Sequence, residues 1–210
     1  MRPSSRSSLR SVVLAVLLAC PPLLLLGCQS AMPTSHSPAD TQGSSLSGRP
    51  SWEWPLRFRT HNIGVYCYDT YECTVTYAGQ WLAFDEPQPI EPSSATFGPD
   101  YRKVFNGSHL GIDNFPAPAE VSWRSKDGQP HAALVDIGAI FADQLIRHRV
   151  PRAEIPEGAS IPDPDIVLEI NDRTINVYMR AFVPTRTLQI PGNRYSDARD
   201  DLILVHTEVF

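Results

Sequence analysis

Few residues in this chain can do chemistry, and they are scattered. Histidines stand at 36, 61, 109, 131, 148 and 206, and no two have metal-ligand spacing. Ser108 and His109 adjoin, but neighbouring side chains on a strand point apart, which suits a nucleophile–base pair poorly. Asp85-Glu86 and Asp200-Asp201 pair carboxylates, as solvated turns also do. The chain has no Gly-x-Ser-x-Gly elbow, no His-Glu-x-x-His, no phosphate loop and no dinucleotide fingerprint. The expectation is a protein that is not an enzyme and needs no metal or cofactor. Its four cysteines carry more information, and their use depends on the segments that hold them.

The N-terminus reads as a targeting segment. Arg2, Arg6 and Arg10 make a basic head, no acidic residue precedes Asp40, and an apolar stretch runs from Val12 to Leu26. That is the composition of a secretory signal. A membrane-spanning helix needs about 20 consecutive apolar residues, and Pro21-Pro22 would break one at mid-span. The stretch ends in Leu25-Leu26-Gly27-Cys28, which resembles the lipobox of bacterial lipoprotein precursors. The resemblance implies cleavage after residue 27 and acylation of Cys28. A plain secretory signal with a chance cysteine is the competing reading. Gln29 stands where the family's inner-membrane retention signal has aspartate, which implies an outer-membrane anchor with the body facing the periplasm. Residues 28–50 are rich in Ser, Thr, Gly and Pro without an aromatic residue, as in a flexible tether. Residues 51–210 remain for one domain with a sizeable core.

Removing the three signal arginines from 18 basic residues leaves 15 against 23 acidic ones, a net charge of −8 for the mature chain. Nucleic acid is therefore an unsuitable partner, because phosphate contact needs a basic surface. A basic protein partner would be steered in. The 20 prolines favour strands and loops over long helices.

With Cys20 in the signal and Cys28 acylated, Cys67 and Cys73 are left. Folding residues 63–77 as a hairpin turning at Asp69-Thr70-Tyr71 sets Cys67 opposite Cys73, Val65 opposite Val75 and Ile63 opposite Tyr77. The cysteines then share the apolar face at disulfide range, and an oxidising compartment favours the bond. A metal site would need two further ligands, and only His61 is near. A redox pair is ordinarily Cys-x-x-Cys. Tyr66, Tyr68, Glu72, Thr74 and Thr76 take the other face.

Further on, Ala119–Ser125 alternates as a strand, residues 126–129 make a turn, and residues 131–136 return. Asp136 is placed to cap a helix over 137–149, with Arg147, His148 and Arg149 on its negative end and Pro151 stopping it. A second hairpin spans 165–183, turning at Asn171-Asp172, so that Leu168 faces Ile175 and Ile166 faces Val177. Residues 202–210 form an apolar strand expected inside a sheet. Residues 85–118 look irregular, and loops of that length tend to be functional or disordered. The sum is mainly β (α+β), an antiparallel sandwich or curved sheet with one short flanking helix.

The segments His61–Cys73 and Asp165–Asp172 are similar to small bacterial lipoproteins, some encoded beside type VI secretion effectors. More specifically, the chain resembles immunity lipoproteins that neutralise phospholipase effectors of that system. The resemblance implies a rigid periplasmic scaffold that binds a lipase toxin. A non-enzymatic structural or assembly lipoprotein of the envelope is the alternative from another class. For a protein partner, the candidate contacts are Tyr66, Tyr68, Tyr71, Glu72, Asp85 and Glu86: tyrosine gives large contact area at low entropic cost, and carboxylates steer a basic partner.

Overall fold

The computed structural model describes residues 54–83 and 89–210. Cys28, the segments expected to be a signal and a tether, and Asp85 with Glu86 lie outside these described residues. The strands are β1 (Thr60–Tyr68), β2 (Thr70–Tyr77), β3 (Gln80–Ala83), β4 (His109–Asp113), β5 (Ala119–Ser125), β6 (Pro130–Val135), β7 (Asp165–Asn171), β8 (Thr174–Arg180), β9 (Val183–Pro184), β10 (Ala198–Arg199) and β11 (Leu202–Val209). They form a five-stranded sheet ordered β11-β8-β7-β1-β4, a four-stranded sheet ordered β3-β2-β5-β6, and a two-stranded ribbon of β9 and β10. The protein is mainly β, as its alternating patterns require. One pair, β1 with β7, runs parallel.

One core joins the two sheets. Ile63, Ile166, Leu168, Ile170, Val177 and Met179 of the five-stranded sheet share it with Val75, Tyr77, Val121 and Trp123 of the other. Each such aliphatic side chain contributes roughly 1.5–3 kcal/mol by leaving water. On β5 the alternation is strict: Ala119, Val121, Trp123 and Ser125 point in, while Glu120, Ser122 and Arg124 point out. β7 departs from alternation, because Val167 and Glu169 on its outer side are as buried as Leu168. Tyr101, Arg102 and Phe105 cover them.

The first hairpin is not a hairpin. β1 pairs with β7 on one edge and β4 on the other, so β2 finds no edge on it and joins the second sheet. The chain turns between sheets at Asp69, which adopts a φ of 52°. Ile63, Val65, Cys67, Cys73, Val75 and Tyr77 all still face the core, so the sequence pattern identified the correct face and the wrong neighbour. The Cys67–Cys73 disulfide is present, with its Cα atoms 6.5 Å apart, and it bridges the two sheets. Loss of this short cross-link by a Cys67→Ala/Cys73→Ala double substitution should cost about 2 kcal/mol on the chain-entropy argument. Urea unfolding measures that cost, and non-reducing peptide mapping should recover the linked peptide; two alkylated free thiols would refute the bond.

Other expectations shift in detail. The β7–β8 hairpin pairs Leu168 with Val177, Ile170 with Ile175 and Ile166 with Met179, two residues from the expected register. Its turn is Asp172-Arg173, and Asp172 is held there from outside: its carbonyl accepts from Trp123 Nε1 at 2.7 Å and its carboxylate from Lys126 N at 2.8 Å. A two-residue slip keeps every side chain on its face, so the apolar pattern alone could not detect it. Asp136 does cap α1 through the Ala139 amide at 2.8 Å, yet α1 covers only Ile137–Ile140. Gln144 then takes a φ of 55° and the Ile146 amide bonds to Leu56 O, so residues 145–150 run alongside Leu56. Arg147, His148 and Arg149 therefore neutralise no helix end. β11 lies at a sheet edge rather than inside.

Candidate functional site

The residues expected to form one polar contact surface are divided. Tyr66 and Tyr68 lie on the outer side of the five-stranded sheet, whereas Thr74 and Thr76 line a hollow on the outer side of the other sheet. Nor is Tyr68 free for a partner. Its side chain, 8% exposed, is enclosed by Phe97, Tyr101 and Phe105. Tyr66 stacks on Phe105 with ring centroids 4.3 Å apart and donates to Val104 O at 3.0 Å. Gly64 makes this packing possible, because a Cβ there would lie 1.9 Å from Asn106 O. Tyr71 is half-buried and Glu72 exposed at the start of β2.

The stretch expected to be irregular between residues 85 and 118 thus has structure where it is described: short 3-10 turns at Ser94–Phe97 and Tyr101–Val104, then β4. Its residues Tyr101 and Arg102 are tied to the sheet by Glu169, which is 0% exposed. That carboxylate accepts from Tyr101 OH at 2.5 Å, Tyr178 OH at 2.7 Å, Asn176 Nδ2 at 3.2 Å and Arg102 Nε at 3.2 Å. Burial alone would raise its pKa. The two hydroxyls and the guanidinium outweigh burial and hold it below the ordinary glutamate value, so the group stays ionised. The reciprocal effect, added to burial, pushes the Tyr178 hydroxyl far upward. Both carboxylate oxygens already accept hydrogen bonds, so the cluster fastens residues 94–105 to the sheet instead of receiving a substrate.

Two histidine constellations have the composition of catalytic groups without the geometry. Buried His61 contacts Asn114 Oδ1 through Nδ1 at 2.7 Å and Tyr77 OH through Nε2 at 3.1 Å. Asn114 donates its amide to Phe58 O, which leaves Oδ1 as an acceptor; His61 Nδ1–H therefore donates to it, and Nε2 accepts from Tyr77. This neutral imidazole, its pKa lowered chiefly by burial, sits inside the sandwich. In the second case Ser125 Oγ lies 2.5 Å from Asp127 Oδ1 and 3.0 Å from His131 Nε2. The single hydroxyl proton goes to the carboxylate, so His131 donates to Ser125 and does not activate it. The exposed Ser108 Oγ and His109 Nδ1 do meet, at 3.1 Å, although they are sequence neighbours. No other group among the described residues is bonded to His109. Among the described residues no cluster of three or more metal-ligating side chains occurs.

The best-formed exposed surface was not read from the sequence. It is the excursion 185–197, which leaves the body through β9 and returns through β10. Pro191 and Gly192 occupy the middle of a turn closed by Asn193 N donating to Ile190 O at 3.0 Å, with Gly192 at a φ of 81°. Pro then Gly at these two places is the signature of a type II turn. Ser196 Oγ sits inside the loop, accepting from Ile190 N at 2.9 Å and lying 2.8 Å from Asn193 O. Gln189 donates to Thr185 Oγ1 and Thr187 O, both at 3.1 Å, and Glu154 anchors Arg186 N and Thr187 Oγ1. The backbone is thereby held in place, yet the large side chains it carries are outside. Ile190 is 58% and Tyr195 77% exposed, with Leu188 beside them and the Arg194 guanidinium 4.6 Å over the Tyr195 ring. A rigid backbone presenting an unburied aromatic, two aliphatics and an arginine has the make-up of an interface anchor. No protein-family model, curated protein or solved structure matches the chain.

Proposed function

We propose that this protein is a lipoprotein anchored by Cys28 to the outer membrane, facing the periplasm, and that it neutralises a secreted lipase toxin by stoichiometric binding. The observation that carries the binding reading is the preformed tip at Leu188, Ile190 and Tyr195, where side chains that normally fill a core stand in water on an ordered loop. Ordering the loop beforehand removes the entropy cost that a flexible one would meet on association. The acidic mature chain adds steering toward a basic partner, which raises the association rate more than the affinity. The Leu25-to-Cys28 sequence supplies the anchor, and three acyl chains hold far more firmly than the marginal binding of one.

Two experiments test the two halves. A lipase encoded beside this chain, directed to the periplasm, should kill cells lacking the protein and spare cells expressing it, and the two should co-purify at one to one. Full killing in the presence of abundant protein ends the immunity reading. For the anchor, Cys28→Ser should leave an uncleaved or soluble precursor that no longer partitions into detergent. Partitioning like the parent protein would refute acylation at that residue.

A further inference from the structure

The basic run Arg147-His148-Arg149-Val150-Pro151-Arg152 has lost its expected role, since the helix stops at Ile140. Its extended course beside Leu56 instead builds one wall of an open cleft of about 560 Å³ that also includes Trp54 and Ile203. Not every cation there is available. Arg147 is bound by both oxygens of Asp143, at 3.1 and 3.0 Å. His148 stands edge-on to Trp54, ring centroids 5.7 Å apart, and faces Asp201, whose carboxylate already holds Arg199 at 2.8 Å. Arg149 and Arg152 are exposed and have no carboxylate partner among the described residues; the Arg152 guanidinium lies 5.7 Å over the Trp54 ring. Two uncommitted guanidiniums beside an indole and an aliphatic floor are unusual on a mature chain with a net charge of −8.

We propose that this cleft docks the headgroup of an anionic phospholipid, with Arg149 and Arg152 taking the phosphate and Trp54, Leu56 and Ile203 receiving the glycerol and first methylenes. Guanidinium geometry matches phosphate oxygens in pairs. Two features select a lipid over a free phosphate. The floor is apolar, which a phosphate ion does not use. The place is also right: Trp54, the first described residue, lines this cleft, so a tether from Cys28 would enter the domain here. This second feature rests on the lipoprotein reading. An anchored domain meets headgroups at an effective concentration in the millimolar range, so weak affinity is enough. Docking would hold an acidic domain in a fixed orientation at a surface that otherwise repels it.

The test uses the mature lipoprotein, ¹⁵N-labelled, in non-ionic detergent. It is titrated separately with water-soluble short-chain phosphatidylglycerol, short-chain phosphatidylcholine and inorganic phosphate. The readout is the Trp54 indole N–H resonance, assigned with Trp54→Phe. Phosphatidylglycerol should shift it saturably at millimolar concentration, phosphatidylcholine at least fivefold more weakly, and Arg149→Gln/Arg152→Gln should weaken the phosphatidylglycerol response at least fivefold while keeping the dispersed spectrum of a folded protein. Equal responses to the two lipids, or a double variant that responds like the parent, would overturn the proposal. Saturation by inorganic phosphate at the same concentration would make the cleft a free-phosphate site and overturn the lipid assignment. The mass of the N-terminal peptide from the same sample reports acylation of Cys28, so a missing anchor is recognised independently of the cleft.

Discussion

Replacing Leu188, Ile190 and Tyr195 together by serine is expected to weaken the proposed toxin binding at least a hundredfold and to leave the melting temperature of the free protein nearly unchanged. The two halves of this expectation come from the same observation. Side chains already in water contribute little to folding, and surface substitutions away from special features usually stay within about 0.5 kcal/mol. Buried at the centre of an interface, each such anchor is worth about 1–2 kcal/mol or more, so three exceed the 2.7 kcal/mol of a hundredfold change. Calorimetric titration against the co-purified partner and a thermal melt supply the two numbers. A companion variant separates the anchors from the loop that holds them. Gly192→Val alters no anchor, but a β-branched residue resists the left-handed backbone at φ 81°. It should loosen the loop and weaken binding about tenfold through lost preorganisation. If the triple variant binds like the parent, the loop is not the contact, and the exposed Glu72 and the half-buried Tyr71 become the next surface to test.

How much of this was legible beforehand depends on the range of the interaction that decides each feature. Ala119–Ser125 was readable to the residue, because one face in the core and one in water impose strict alternation, and a local turn at 126–129 sets the return strand. The face of β1 and β2 was readable for the same reason. Their partner was not, because alternation states which side is buried and is silent on which strand lies alongside. β1 is claimed by β7, about a hundred residues later, and a cross-sheet corner uses the same pattern as a hairpin. Asp136 as a cap was visible, but the course of the chain after Ile140 was not, because it runs beside Leu56 and Phe58, about 90 residues back. The candidate site follows the same rule. Pro191-Gly192 announced a turn, yet nothing in the sequence separates an isoleucine that a turn exposes from one that a strand buries. Glu169 reads locally as the polar side of a strand, and only the arrival of Tyr101 and Arg102 makes it buried and indispensable.

That arrangement carries the largest expected effect on stability. Glu169→Ala should lower the free energy of unfolding by about 3 kcal/mol, and the loss should concentrate in residues 94–105. The alanine leaves the buried Tyr178 hydroxyl and the Asn176 amide without their acceptor, and each orphaned group costs about 1–3 kcal/mol. Arg102 is 44% exposed and can turn to water, which keeps the total at the low end of the roughly 3–5 kcal/mol typical of a fully buried broken ion pair. Glu169→Gln keeps the shape without the charge and should cost less, about 1–2 kcal/mol. Acid gives an independent check on sign. The folded protein holds this carboxyl below its ordinary value of 4.5, so its contribution is complete above that pH and is lost as the pH falls through the lower folded value. Urea unfolding of the parent should therefore weaken more steeply as the pH falls below about 4.5 than that of the alanine variant, which has no such group to protonate. Hydrogen exchange should show the amides of residues 101–106 losing protection first, because the Tyr101 and Arg102 side chains are tied to the sheet through this carboxylate, beside the rings packed around Phe105 and the Arg180 bonds to the Arg102 and Lys103 carbonyls. An alanine variant within 1 kcal/mol of the parent, with the same acid slope, would mean that the aromatic packing of Tyr66, Tyr68 and Phe105 fastens the segment without Glu169.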